Sequence, residues 1–446
     1  MTGFPVTLAT PPAFTGPLPE AVDVAVIGGG IIGLMAAWSV ASEGKRVLLC
    51  EKGRLAGEQS SRNWGWIRQQ GRDVAELPVM MEAIRLWADL PRALRDAIGF
   101  RQRGITYFAR TETRMDAFAR WLDLARPYGV DSRLLSRRET EAMLPNAAGW
   151  TGALHTPSDA MAEPFVTAPV LARAAAEEGV VIREGCAVRG LETSSGRLSA
   201  IVTEAGTVRC TQAILAGGAW SALFLRSVGV ALPQLSVLSS VSATARLPAF
   251  FQGAACDDRF AFRRRADGSY LLTPWSFHEF YIGPDAFRNL RAFLPQIRAD
   301  LSSTRFHPAA PRGYPDAWST PRRWNTTDES PFERCRILNP RPNGPEIARL
   351  QDHFAAAFPA IGVPEIAATW AGMIDVLPDA LPVIDHAPLP GLILATGMSG
   401  HGFGIAPGIA KVVADLAAGR RPRLDAAAFR YGRFGNGTSL AKSSAL

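Results

Sequence analysis

The segment Asp23–Glu51, DVAVIGGGIIGLMAAWSVASEGKRVLLCE, admits few folds. Val24 to Ile27 reads as a short buried strand, Ile31 to about Ser42 as a helix, and Arg46 to Cys50 as a second strand. Between strand and helix, Gly28, Gly30 and Gly33 fall in G-x-G-x-x-G spacing. The first glycine permits a tight turn, the second lets backbone approach a pyrophosphate, and the third lets the helix lie close on the strand. Phosphates would then meet free N–H groups and the positive end of a helix dipole. Glu51 closes the second strand about 20 residues on, where a carboxylate binds a ribose hydroxyl pair. A Gly-rich turn alone would also suit an unrelated βα unit. Strand, glycines, helix, strand and acid in this order predict dinucleotide binding.

A chain of 446 residues is too long for one core and implies two or three domains. The net charge of +7 raises the question of nucleic acid, but the 48 basic residues are scattered and carry no aromatic-and-basic motif. Only Lys45, Lys52, Lys411 and Lys442 are lysines; the rest is arginine. A basic field of this kind would draw anionic substrates instead. Five cysteines without C-x-x-C spacing read as reduced thiols of a cytoplasmic protein, and six histidines without H-x-H or H-E-x-x-H argue against a metal. No apolar run reaches the ~18 to 20 residues of a membrane helix. Met1 to Glu20 holds several prolines and no Lys or Arg, so it reads as an extended arm without the basic start of a signal peptide.

Residues 57–73, GEQSSRNWGWIRQQGRD, are polar and Gly-punctuated yet carry Trp64 and Trp66. That combination predicts a loop buried against something flat. Helical spacing follows over Val79–Leu94 and about Thr113–Tyr128, with a strand at Gly104–Ala109 between them and a short helix at Glu139–Leu144. A second βαβ-like portion spans Gly152–Pro233, with a helix at Phe165–Glu178 and a strand at Gln212–Leu215 that runs into Ala216–Ser221. From Pro233 to about Ala368 alternating stretches predict an antiparallel sheet, with helices near Asp285–Asp300 and Pro345–Phe358. Trp370 to Pro422 returns to strand, Gly-rich turn and helix. The plan is an α/β chain: an arm (1–20), a Rossmann-type domain in three pieces (21–95, 151–235, 368–425), an interleaved α+β substrate domain on a mixed or antiparallel sheet (96–150, 236–367), and a tail (426–446).

Three strands running into Gly-rich turns, at 24–33, 212–221 and 392–404, point to one site. Their motifs, VIGGGIIGLMAA…LLCE, SSRNWG, ILAGGAWS and TGMSGHGFGIAPGIAKVVADL, resemble those of the D-amino acid oxidase superfamily of flavoenzymes. The Pro-rich arm is most similar to the γ-glutamylputrescine oxidase branch. The resemblance covers most of the chain and is weakest over Leu247–Pro364. It implies non-covalent FAD, because the SSRNWG loop lacks the histidine, and Cys335 the clear placement, of covalent branches. It implies oxidation of a C–N bond of an amine or amino acid, by hydride transfer to the flavin and hydrolysis of the imine, with O2 or an artificial or quinone acceptor.

Carried over onto this sequence, Gly28, Gly30, Ile32 and Gly33 meet the pyrophosphate, and Glu51 and Lys52 the adenosine end. Ser60, Ser61, Arg62 and Asn63 fall where the family contacts phosphate and ribityl. Val188 meets adenine, Gly217 and Trp220 lie along the cofactor, and Gly397, Ser399, Gly400, His401 and Gly402 face the flavin pyrimidine. Trp64, Arg68 and His401 are candidates for the reacting face. Arg68 either grips a substrate carboxylate or is a surface residue paired with Asp73 or Glu76. His401 either acts near substrate or presents only its backbone. Sarcosine oxidase has a lysine where this chain has Gly404, helping to hold the substrate carboxylate, and its absence weakens the small-amino-acid reading. Such oxidases also place a lysine ammonium beside the flavin, whereas here no lysine falls between Lys52 and Lys411. Slow reaction with O2, and a dye- or quinone-linked dehydrogenase, is the expectation that follows unless an arginine fills the role. A flavin-binding protein without turnover and a nicotinamide dehydrogenase remain as other readings.

Overall fold

The computed structural model describes residues 5–299, 303–435 and 443–446; Lys442 lies outside them. The strand Val24–Ile27 lies inside a six-stranded sheet, parallel to Gln212–Leu215 on one side and Val47–Glu51 on the other. Val181–Glu184 and Leu392–Thr396 extend the parallel run outward, and Val383–His386 closes one edge antiparallel. Val24–Ile27 and Leu392–Thr396 are buried throughout, as expected of parallel strands covered on both faces. Ile31–Ala41 is apolar nearly all round because it is packed between the sheet and the helix Gly402–Ala417.

The second body is a ten-stranded mixed sheet. Its longest strands, Leu235–Arg246 and Ile366–Val376, pair antiparallel from Leu235 opposite Val376 to Thr244 opposite Ile366. This moves two expected boundaries. The switch near 367–368 falls inside a continuous strand, since pairing with Leu235–Arg246 holds it in this sheet through Val376. Gly152–Thr156, expected in the Rossmann-type domain, is also in the mixed sheet, held between Ile105–Ala109 and Arg133–Leu135. Short apolar strands look alike in either domain, and only the partner strand decides.

Smaller differences have local causes. The helix expected over Val79–Leu94 spans Leu77–Asp89 and stops before Pro91, beyond which Arg92–Ala97 forms a separate helix. The helix near Asp285–Asp300 is broken at Asn289 into Pro284–Arg288 and Leu290–Ala299. The polar loop 57–73 contains a helical turn, Gln59–Arg62, and a strand, Trp66–Ile67, paired with Ala160–Met161. The arm is strapped down: Glu184 accepts from the Ala13 and Phe14 N–H groups at 2.5 and 3.0 Å, and Arg54 Nε donates to the Thr10 carbonyl at 2.6 Å. The tail docks on the turn after Gln70, with the Ser444 N–H on Asp73 (2.8 Å) and the Leu446 N–H on the Gly71 carbonyl (3.1 Å).

Candidate functional site

A cavity of about 610 Å³ runs from Gly28 and Glu51, past Ser60 and Arg68, to the face of the mixed sheet. Its near end is shaped by backbone. Gly28 has φ +110°, and a Cβ there would sit 2.4 Å from the Ala216 carbonyl oxygen; one on Gly33 would sit 2.0 Å from the Gly28 oxygen. Gly28 and Gly30 line the cavity, whereas Gly33 sits behind it as a packing residue. The first intrahelical bond runs from Leu34 N–H to the Gly30 carbonyl, and Ser60 Oγ takes the Ile31 N–H at 2.9 Å. The N–H of Ile32, which lines the cavity, therefore remains for an anion. Glu51 accepts from the Gly29 and Gly53 N–H groups, each at 2.7 Å, and keeps lone pairs for further donors. Burial raises its carboxyl above the usual range despite these donors and Lys52. A bare glycine turn, a free helix-start donor and an acceptor-only carboxylate fit the pyrophosphate and ribose of FAD.

Other predicted residues divide by where they point. Asn63, Val188, Gly217 and Trp220 line the cavity, as do Ser399, Gly400, His401 and Gly402 further along. Asn63 is spent on its own turn, donating to the Gln59 and Ser60 carbonyls and accepting from Gly65 N–H. Ser61 is buried with its hydroxyl on the Glu58 carbonyl and does not reach the cavity. Gly397 is also set back: a Cβ there would meet Leu377 Cδ1 at 2.2 Å, and its N–H bonds Asp375 at 2.9 Å.

Two expected cofactor contacts, Lys52 and Arg62, line the cavity but direct their polar atoms into the protein. The Lys52 ammonium gives its three hydrogens to Glu58 (2.8 Å) and the Cys335 and Arg336 carbonyls (2.9 Å each), 4.3 Å above the Trp220 ring. The ammonium hydrogens are thus used within the protein and not at the adenosine end. Arg62 donates to the Gly57, Ala371 and Val6 carbonyls and to Asn339, tying the loop to the mixed sheet and the arm. Glu58, which also accepts from Trp220 Nε1 and Leu338 N–H at 3.0 Å, was not singled out by the sequence.

The far end is aromatic and cationic. Trp64, Trp66 and Trp275 stand 5.5 to 6.0 Å apart in the cavity wall, backed by Tyr107 5.1 Å from Trp275. Arg68 lines this end; it pairs with neither Asp73 nor Glu76 but donates one hydrogen to the Gln70 carbonyl at 2.5 Å. Arg72 takes Glu76 instead, at 3.2 Å, and both are 1% exposed. Burial lowers the Arg72 guanidinium to about 10. Burial alone would raise Glu76, but His401 and Arg72 outweigh it and hold its carboxyl at about 2. The Arg72–Glu76 spacing, four residues apart ahead of an apolar helix, was the signal available for this pair. Trp275 came from an alternating stretch with nothing to mark it. A Cβ on Gly404 would lie 3.0 Å from Ile67 Cα and 3.1 Å from the Trp66 oxygen, so a side chain there would press on the strand Trp66–Ile67 and require it to give slightly. Among the described residues no cluster of His, Cys, Asp and Glu suits a metal, and no helix is long and apolar enough to cross a membrane.

The model of a family described as FAD dependent oxidoreductase matches residues 23–416. The structure of an L-amino acid deaminase from Proteus myxofaciens, in complex with anthranilate, superposes with a TM-score of 0.89 at 29% identity over 94% of this chain and 95% of that one. The sarcosine oxidase subunit beta of Rhizobium meliloti (strain 1021) is 25% identical over 96% of this chain and 92% of its own length. The mitochondrial sarcosine dehydrogenase of Mus musculus is 28% identical over 52% of this chain, which spans only 26% of that protein.

Glu51→Ala removes the acceptor at the ribose position and should weaken FAD affinity at least tenfold, given about 1.5–3 kcal/mol for a charged hydrogen bond. Fluorescence titration of apoprotein with FAD measures it, and an unchanged Kd would remove Glu51 from the cofactor site.

Proposed function

The chain belongs to the FAD dependent oxidoreductase family, and on that premise we propose that it oxidises the C–N bond of an amino acid with a large apolar side chain. The observation that carries this reading is the pairing of Arg68, the open cation among the described residues of the cavity, with an apolar chamber formed by Val237, Val241, Trp275, Phe280, Phe293 and Ile374. Bound FAD supplies the oxidising centre, an acceptor for the hydride on the carbon next to nitrogen.

The residues of the chain bind and orient. Arg68 has hydrogens beyond the one given to Gln70, enough for two parallel bonds to a carboxylate. The three tryptophans keep water from that ion pair and so strengthen it. Phe280 and Phe306, with centroids 6.0 Å apart, flank the mouth, where Phe306 is 46% exposed. The helix Gly402–Ala417 begins at the cavity wall and points its positive end there.

The acceptor is read as a quinone or dye in preference to O2. A compact positive charge speeds reduction of O2 by stabilising the anion that forms. Lys52 is committed to Glu58, and no lysine falls between it and Lys411 in the sequence. Among the described residues the open cation of the cavity is Arg68, whose charge is more diffuse than an ammonium. We also place the protein in the cytoplasm and read FAD as non-covalent. Five unpaired cysteines support the first, and Cys335, whose thiol turns to the Ile337 carbonyl, supports the second.

Three measurements test the proposal. In anaerobic mixing, leucine, methionine or phenylalanine should bleach the flavin absorbance faster than glycine or sarcosine; the reverse order overturns the assigned substrate class. Arg68→Lys should raise KM for the preferred amino acid at least tenfold, from the loss of about 1.5–3 kcal/mol, and unchanged kinetics would exclude the carboxylate contact. Reoxidation of reduced enzyme by O2 in stopped flow should run below a rate on the order of 10⁵ M⁻¹s⁻¹. A faster rate makes the protein an oxidase.

A further inference from the structure

His401 stands at the start of the helix Gly402–Ala417 and lines the cavity, with its ring Nδ1 3.1 Å from Glu76 Oε2. A buried carboxylate with no other counter-ion would favour the charged imidazolium. Glu76 has another counter-ion. Arg72 Nη1 lies 3.2 Å from its other oxygen, while Arg72 Nη2 donates to the His401 carbonyl at 3.1 Å and Nε to the Arg68 carbonyl at 2.9 Å. One buried guanidinium thus ties together the strand end that carries Arg68, the turn that carries Glu76 and the loop that carries His401.

We propose that Arg72 is a positioning residue that, by neutralising Glu76, keeps the His401 ring uncharged and leaves its Nε2 as a bare acceptor in the cavity wall. The Nδ1 that faces a carboxylate carries the single ring proton, which fixes the tautomer. The charged groups facing the ring are Glu76 from the turn before Leu77, and Arg72 and Arg68 from the segment after Ile67. Burial and the two guanidiniums push the imidazole below its ordinary range, against the pull of Glu76. The consequence for substrate rests on the proposed function: an imidazolium would repel an ammonium group in the cavity, whereas a neutral Nε2 accepts a hydrogen bond from it.

The test is NMR of histidine-labelled holoprotein without substrate, so that a wrong substrate assignment leaves it unaffected. The His401 signal is identified by its loss in His401→Asn. In the parent it should show the Nδ1-protonated tautomer and stay silent across the range in which histidine ordinarily titrates. Arg72→Met should raise its midpoint by about one unit or more and bring it into that range. Adding Glu76→Gln to that variant should silence it again, and Arg72→Lys, which keeps the charge, should leave it silent. A parent His401 that titrates near its ordinary pKa, or carries its proton on Nε2, overturns the proposal without any variant. So does an Arg72→Met signal that stays silent.

Discussion

Everything in the cofactor half depends on how closely three strand ends converge. A β-carbon on Gly28 would lie 2.4 Å from the Ala216 carbonyl, and one on Gly33 2.0 Å from Gly28 itself. This removal of side chains lets the helix Ile31–Ala41 begin directly at the sheet edge and leaves the Ile32 N–H open. The same device recurs at Gly397, pressed against Leu377, and at Gly408, where a Cβ would meet the Val79 carbonyl at 2.2 Å. In this family of contacts glycine serves proximity more than flexibility.

Those glycines were legible in the sequence because their spacing is local. Glu51 was legible for the same reason, since it ends the strand that follows. The partners of Lys52 were not: two of its three acceptors are carbonyls of Cys335 and Arg336, nearly 300 residues away along the chain. His401 and Glu76 meet across a similar distance. Domain limits failed where strands were short or shared, at Gly152–Thr156 and Ile366–Val376, because pairing partners and not composition decide which sheet a strand joins. What a sequence reads poorly is what tertiary contact decides.

The electrostatics of the site divide into closed and open groups. Lys52 with Glu58 and Arg62 with its carbonyls are closed, each satisfied within the protein. Such pairs are weak evidence for stability, and their use here is to hold loop to sheet in one geometry. Arg68 is open, and it borders the aromatic wall and the apolar chamber. Among the described residues of the site, most charges are thus sequestered while Arg68 keeps unspent hydrogens facing the cavity.

The contact of Gly404 with Trp66 and Ile67 bears on how such a chain could change over generations. The strand Trp66–Ile67 is held in turn by Ala160–Met161, and Trp87 Nε1 bonds the Gly404 carbonyl at 2.8 Å. A lone mutation that placed a long side chain at 404 would meet backbone before reaching the cavity. A lineage acquiring a long side chain there would have to move the strand by a few tenths of an ångström at the same step. Position 404 is thereby held to a small residue by packing, whatever chemistry the cavity carries out.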